Sequence, residues 1–115
     1  MLFVKKEFKL YKIMRAVVLF DLPTGTKSER RAATQFRKFL LDDGFDMLQY
    51  SVYARICPDR DNANMHLLRV KKNAPDSGSV RMLMLTENQF INMHIIVGEK
   101  TTQELVVPSQ QLSFF

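Results

Sequence analysis

From residue 15 onward the apolar positions fall into blocks with two distinct periods. The run RAVVLFD over residues 15–21 is β-branched and apolar, closes on a carboxylate and meets Pro23 and Gly25, the pattern of a buried central strand. Thr26 and Glu29 then stand at capping-box spacing, and SERRAATQFRKFLLDDG continues as a helix until Gly44 supplies a C′ position. At about 100° per residue, Ala32, Ala33, Phe36, Phe39 and Leu40 share one side, while Lys27, Arg30, Arg31, Thr34, Arg37 and Lys38 share the other. The predicted helix is amphipathic with a basic outer face, for which by itself a solvated surface is the plainer reading and an anion-binding row the alternative.

The period changes in FDMLQYSVYARIC, residues 45–57, where Leu48, Tyr50, Val52, Ala54 and Ile56 alternate with Gln49, Ser51, Tyr53 and Arg55. Thirteen residues is long for one strand, so a bulge or tight turn is expected at residues 49–51. Residues 59–64 carry turn and cap chemistry, and residues 65–72 suit a short second helix ended by the loop NAPDSGS. VRMLMLT at 80–86 is a further apolar strand, TENQF reads as a turn, and a last strand is expected over residues 93–97 before Gly98. The predicted order is βαββαβ with an additional C-terminal strand. In a domain this small that is an α+β, ferredoxin-like pattern, an antiparallel sheet with two helices on one face. The predicted division is an N-terminal extension at 1–13, the ferredoxin-like domain at 14–98 and a C-terminal tail at 99–115 that docks on a partner chain.

Length changes this picture little, since 115 residues fit one domain. Charge changes it more. The net charge of +5 and a pI near 9.6 favour an anionic partner. Lys5, Lys6, Lys9, Lys12 and Arg15 face only Glu7 in the lead segment, and Met14 offers an alternative start. No apolar run reaches the roughly 20 residues that span a bilayer, and the lead has no secretory signal pattern, so a cytoplasmic location is expected. The lone Cys57 forms no internal disulfide and lies in no motif.

Among candidate chemical groups Asp21 stands out, because it ends an apolar strand just before a turn into a basic helix. The plainer reading is a carboxylate that caps the turn or pairs with an arginine. One carboxylate per chain is too few for a two-metal nuclease. Mg2+ is nonetheless held by one or two carboxylates with substrate phosphates and water, so two Asp21 residues meeting across a dimer axis would suffice. His66 and His94 lack ligand-spaced neighbours, and DRDNAN fails as a calcium loop because Asn64 and Val70 occupy its glycine and glutamate positions. There is no phosphate-cradling glycine loop, nucleophile elbow or CxxC pair, and the late strand lacks the aromatic pattern of RNA-recognition motifs.

Taken together, MRAVVLFDLP, FRKFLLDDGF, LQYSVYARI and GSVRMLMLTENQF resemble the CRISPR-associated protein two family over residues 14–98, in the variant found beside the large RNA-guided nuclease of type II systems. The resemblance implies a ferredoxin-like homodimer that bridges two dimers of the CRISPR integrase, the CRISPR-associated protein one family. In that complex it holds duplex DNA for insertion into the repeat array while the integrase performs strand transfer. It also implies an alternative, a metal-dependent endonuclease on RNA or duplex DNA whose magnesium ligand ends the first strand. Asp21 matches that position and is therefore the candidate catalytic and metal-binding residue. A toxin-like ribonuclease on the same scaffold would share this chemistry. Holding duplex without sequence preference requires cations aimed at phosphates. The candidates are Lys27, Arg30, Arg31, Arg37 and Lys38, with Arg15 and Arg55 behind them. The tail is a candidate for strand addition to a partner's sheet edge.

Overall fold

The computed structural model describes residues 12–104. Residues 1–11 and 105–115, and with them most of the predicted extension and tail, lie outside the described residues. Four strands form one antiparallel sheet in the order β2-β3-β1-β4: β1 is Met14–Asp21, β2 Asp46–Gln49, β3 Val52–Cys57 and β4 Ser79–Thr86. Helix α1 (Lys27–Asp42) follows β1 and α2 (Arg60–Asn73) follows β3, giving the βαββαβ order and strand arrangement of a ferredoxin-like α+β fold.

Strand alternation divides β1 between two environments. Met14, Ala16, Val18 and Phe20 join Phe36 and Leu40 of α1, Ala63 and Val70 of α2, and Phe45, Tyr53 and Cys57 in the main core. Phe20 is central to it, meeting Phe36 edge-on at 5.2 Å between ring centroids and stacking on Tyr53 at 5.7 Å. Val17 and Leu19 face the other way, toward Leu48, Val52, Ala54 and Leu85. A short helix α3 (Glu87–Ile91) roofs part of that second face with Phe90 and Ile91. The unbroken apolar run of β1 follows from this placement, since both of its sides meet hydrocarbon.

Local signals set the element ends. The Thr26 hydroxyl accepts from the Glu29 N–H at 3.1 Å while the Glu29 carboxylate accepts from the Thr26 N–H at 2.9 Å, starting α1 with the expected reciprocal cap. Gly44 ends it at φ +90°, and a Cβ there would stand 2.7 Å from Arg55 Nη1. The predicted break falls between β2 and β3, where Ser51 adopts φ 64° and its carbonyl accepts from the Phe20 N–H at 3.0 Å. Beyond the C-terminus of α1, Asp43 accepts from His66 or Arg69 on each carboxylate oxygen, at 2.7 and 2.8 Å, and so ties α1 to α2. His66 is thus a buried structural histidine.

Three expectations are corrected. The second helix begins at Arg60, because the Asp59 side chain caps it by accepting from the Asn62 N–H at 2.8 Å and Ala63 is buried in its first turn. TENQF is helical because Thr86 and Gln89 repeat the capping box, and the chain enters α3 as soon as β4 ends. The predicted C-terminal strand at 93–97 does not form, and the described residues contain no additional strand. Ile96 and Val97 are 88% and 91% exposed, and no strand pairing reaches them among the described residues. The chain beyond instead returns to its own domain: a 3-10 turn at Thr102–Glu104 buries Glu104, and the Gln103 amide donates to the Asp46 carbonyl at 3.1 Å.

Candidate nucleic-acid interface

Asp21 occupies the last position of β1, opposite Ser79 of β4. Since Phe20 points into the main core, Asp21 shares the opposite face with Val17 and Leu19. Its carboxylate is exposed, and no hydrogen bond or ion pair engages it among the described residues. The backbone beneath it is tightly placed. Gly78 sits at φ +94°, where a Cβ would come within 2.8 Å of the Asp21 carbonyl oxygen and 3.0 Å of Leu22 and Pro23. Only glycine fits that approach, so the start of β4 clamps the turn that presents Asp21. Among the described residues no three His, Cys, Asp or Glu side chains gather as a metal cluster. A magnesium ion at Asp21 would therefore take its remaining ligands from water, phosphate or another molecule.

The cations of α1 begin six residues beyond Asp21. Lys27, Arg30 and Arg31 are exposed on its first turns, and Arg30 is steadied by donating to the Thr24 carbonyl at 3.1 Å. Arg37 is half-buried: it donates to Ser51 Oγ at 3.2 Å, with its guanidinium 5.2 Å from the Phe20 ring and 4.9 Å from the Tyr50 ring. It braces the β2–β3 turn and keeps an outer edge toward solvent. Lys38 pairs with Asp42 one turn on at 2.8 Å, and that hydrogen bond raises its pKa, so it is cationic throughout the neutral range.

This arrangement of sheet and helices agrees with the comparisons. The family model described as CRISPR associated protein Cas2 matches residues 14–93. The chain belongs to the Cas2 family. A CRISPR-associated endoribonuclease Cas2 of Acidovorax ebreus is 49% identical over 102 residues, covering 89% of this chain and all of that protein. A protein of the same description from Flavobacterium psychrophilum is 44% identical over 105 residues, covering 91% of this chain and 90% of the other. A solved structure described as the crystal structure of a Cas2 superposes with a TM-score of 0.54 at 19% identity, over 78% of this chain and 92% of that one, and shows the fold.

Within this Cas2 chain two predicted cations are committed elsewhere. Arg15 is 3% exposed. Its Nε and Nη2 donate to the Glu87 carboxylate at 2.7 and 3.0 Å, its Nη1 donates to the Gln103 carbonyl at 2.9 Å, and Phe90 lies 4.5 Å below. A guanidinium enclosed in this way has no face left for a phosphate, so Arg15 is withdrawn from the interface. Arg55 donates to the carbonyls of Asp43 and Ile56 and serves the C-terminal end of α1. Charge and periodicity mark these residues as basic but carry no information on Glu87, which lies 72 positions from Arg15. Arg81, a lone cation within the apolar run VRMLMLT, is exposed, and its break in that run is the sequence signal that marks it.

Proposed function

We propose that the chain is the dimeric, duplex-DNA-binding scaffold of CRISPR spacer integration. In this reading it bridges integrase dimers in the cytoplasm and holds the incoming fragment by its phosphates. The supporting observation is the exposed row Lys27, Arg30 and Arg31 at the start of α1, flanked by Arg37 and Lys38. Side chains on a rigid helix that read no base suit a sequence-independent grip. The second face of the sheet supports the dimer: Leu83 is 42% exposed beside Val17 and Leu85, an apolar surface that a second copy of the same face would cover.

The test is integration of a labelled duplex into a repeat-bearing plasmid by the cognate integrase, supplemented with wild type, Asp21→Ala, or the triple variant Lys27→Glu, Arg30→Glu, Arg31→Glu. The expected outcome is equal rescue by wild type and Asp21→Ala and none by the charge-reversed protein, provided that protein remains dimeric. Normal integration by the triple variant would remove α1 as the DNA surface.

A second reading is favoured by the unpaired Asp21 carboxylate and by the endoribonuclease description of the relatives. In it, Asp21 from two copies would hold a Mg2+ ion, which when bound supplies charge neutralisation at a phosphodiester of RNA or duplex DNA. Asp21 would help to hold the ion, and Gly78 keeps the turn in place. Magnesium-dependent cleavage that survives unchanged in Asp21→Asn protein would defeat this reading.

A further inference from the structure

The face that carries Asp21 bears a second uncommitted charge. Pairing of β1 with β4 sets Ser79 opposite Asp21 and Arg81 opposite Leu19, so Asp21 and Arg81 are diagonal neighbours on adjacent strands. Such neighbours are roughly 7–8 Å apart, within reach of an arginine side chain. Alternation places both on the face away from α1 and α2, since Val80, Met82 and Met84 pack against the main core. Slippage by one residue would drive Arg81 into that core, and Gly78 against the Asp21 carbonyl adds a second check on register. Both side chains are exposed, yet they form no ion pair with each other, and no hydrogen bond holds either among the described residues. Arg15 on the same face is fully engaged by Glu87 and Gln103.

We infer that Arg81 is a phosphate-binding residue of the Asp21 site. Its guanidinium takes the non-bridging oxygens of a nucleic-acid phosphodiester at the strand end that carries Asp21. The planar fork of arginine matches two phosphate oxygens, and an unpaired guanidinium can engage them without breaking a bond within the chain. The inference rests on the reading of Asp21 as a phosphodiester site. It assigns the sheet face a part in binding that the basic helix does not supply, because α1 packs on the other side. The same two free charges have one competing use, a reciprocal pair between Arg81 of one copy and Asp21 of another across a two-fold axis.

The experiment measures binding of the full chain to a labelled duplex and to single-stranded RNA over a salt series with magnesium, for wild type, Arg81→Ala, Arg81→Lys and Asp21→Ala. Sedimentation of each variant and cleavage of each substrate are followed in parallel. Arg81→Ala is expected to remain dimeric, to bind roughly tenfold more weakly at moderate salt and to lose about one unit of the log-log salt slope, with Arg81→Lys recovering part of the affinity. The arm with the larger loss identifies the nucleic acid. Unchanged affinity and slope on both substrates would overturn the inference. So would an affinity loss that tracks dissociation of the dimer and vanishes at concentrations that restore it, which would make Arg81 an interface residue. If cleavage proves indifferent to Asp21→Ala, the metal reading falls, while a slope lowered by Arg81→Ala still sustains the phosphate contact.

Discussion

The two faces of the sheet bury their side chains in different ways. Under α1 and α2, apolar groups meet apolar groups: Phe20, Phe36, Leu40, Phe45, Tyr53 and Cys57 close a core beside which the buried side-chain pair of Asp43 and His66 is satisfied within the chain. On the other face a single short helix covers Val17 and Ala54 with Phe90, a buried arginine is held by Glu87, and Leu83, Asp21 and Arg81 are left to solvent. The first face is complete in one chain. The second has the composition of a surface that awaits another molecule, apolar at its centre with charges free at the strand end. Folding stability and self-association are therefore expected to separate by face.

The sharpest break of that contrast is Phe36→Ala, which empties the middle of the helix face and should lower unfolding free energy by about 3–5 kcal/mol in urea titrations. A much smaller loss would mean that the helices are not the main source of stability. Next comes Glu87→Ala, which leaves Arg15 buried with only the Gln103 carbonyl to accept from it. Because Glu87 itself keeps some solvent contact, a loss of about 2–3 kcal/mol is expected, below the fully buried case. Replacement of the pair by Arg15→Met with Glu87→Leu should recover most of it, which separates the penalty of a stranded charge from any worth of the pair.

Leu83→Lys should act in the opposite sense, changing unfolding free energy by under about 0.5 kcal/mol in dilute monomer yet shifting sedimentation from dimer to monomer. A dimer that persists would place the proposed contact elsewhere. The smallest effect concerns Cys57. Burial pushes its thiol pKa up from the ordinary 9.0, with the nearby Arg55 charge opposing. The unfolded chain then loses that proton at lower pH than the folded one, so stability is fully present below about pH 9 and falls as pH rises toward the raised folded value. Cys57→Ala should flatten that alkaline decline, and native protein at neutral pH should resist thiol alkylation until unfolded.

Much of the helix face was legible in the chain because its determinants are local or periodic. Thr26 and Glu29 are three residues apart, Gly44 ends the same helix, and Phe36 and Leu40 repeat at helical spacing. The break at residues 49–51 followed from strand length alone. The second face was read less well. Residues 93–97 have strand-like composition, but a strand needs an edge to pair with, and the chain had already turned away through a helix capped by Thr86 and Gln89. Arg15 was counted among the cations for the same reason: its charge is visible in the sequence, whereas its burial depends on a glutamate from another element.

The sequence alone therefore determined the order of elements, the amphipathic helix with its basic side, the candidate carboxylate at the end of β1 and the family resemblance that the comparisons bear out. Each depends on residue type at short range or on a repeating period. The tertiary structure decided which charges are free. Pairing of β4 with β1 set Arg81 beside Asp21, packing of α3 enclosed Arg15, and the β2–β3 turn engaged Arg37. A charge becomes available or committed through groups brought close by the fold, and those distances are not written in the spacing of residues along the chain.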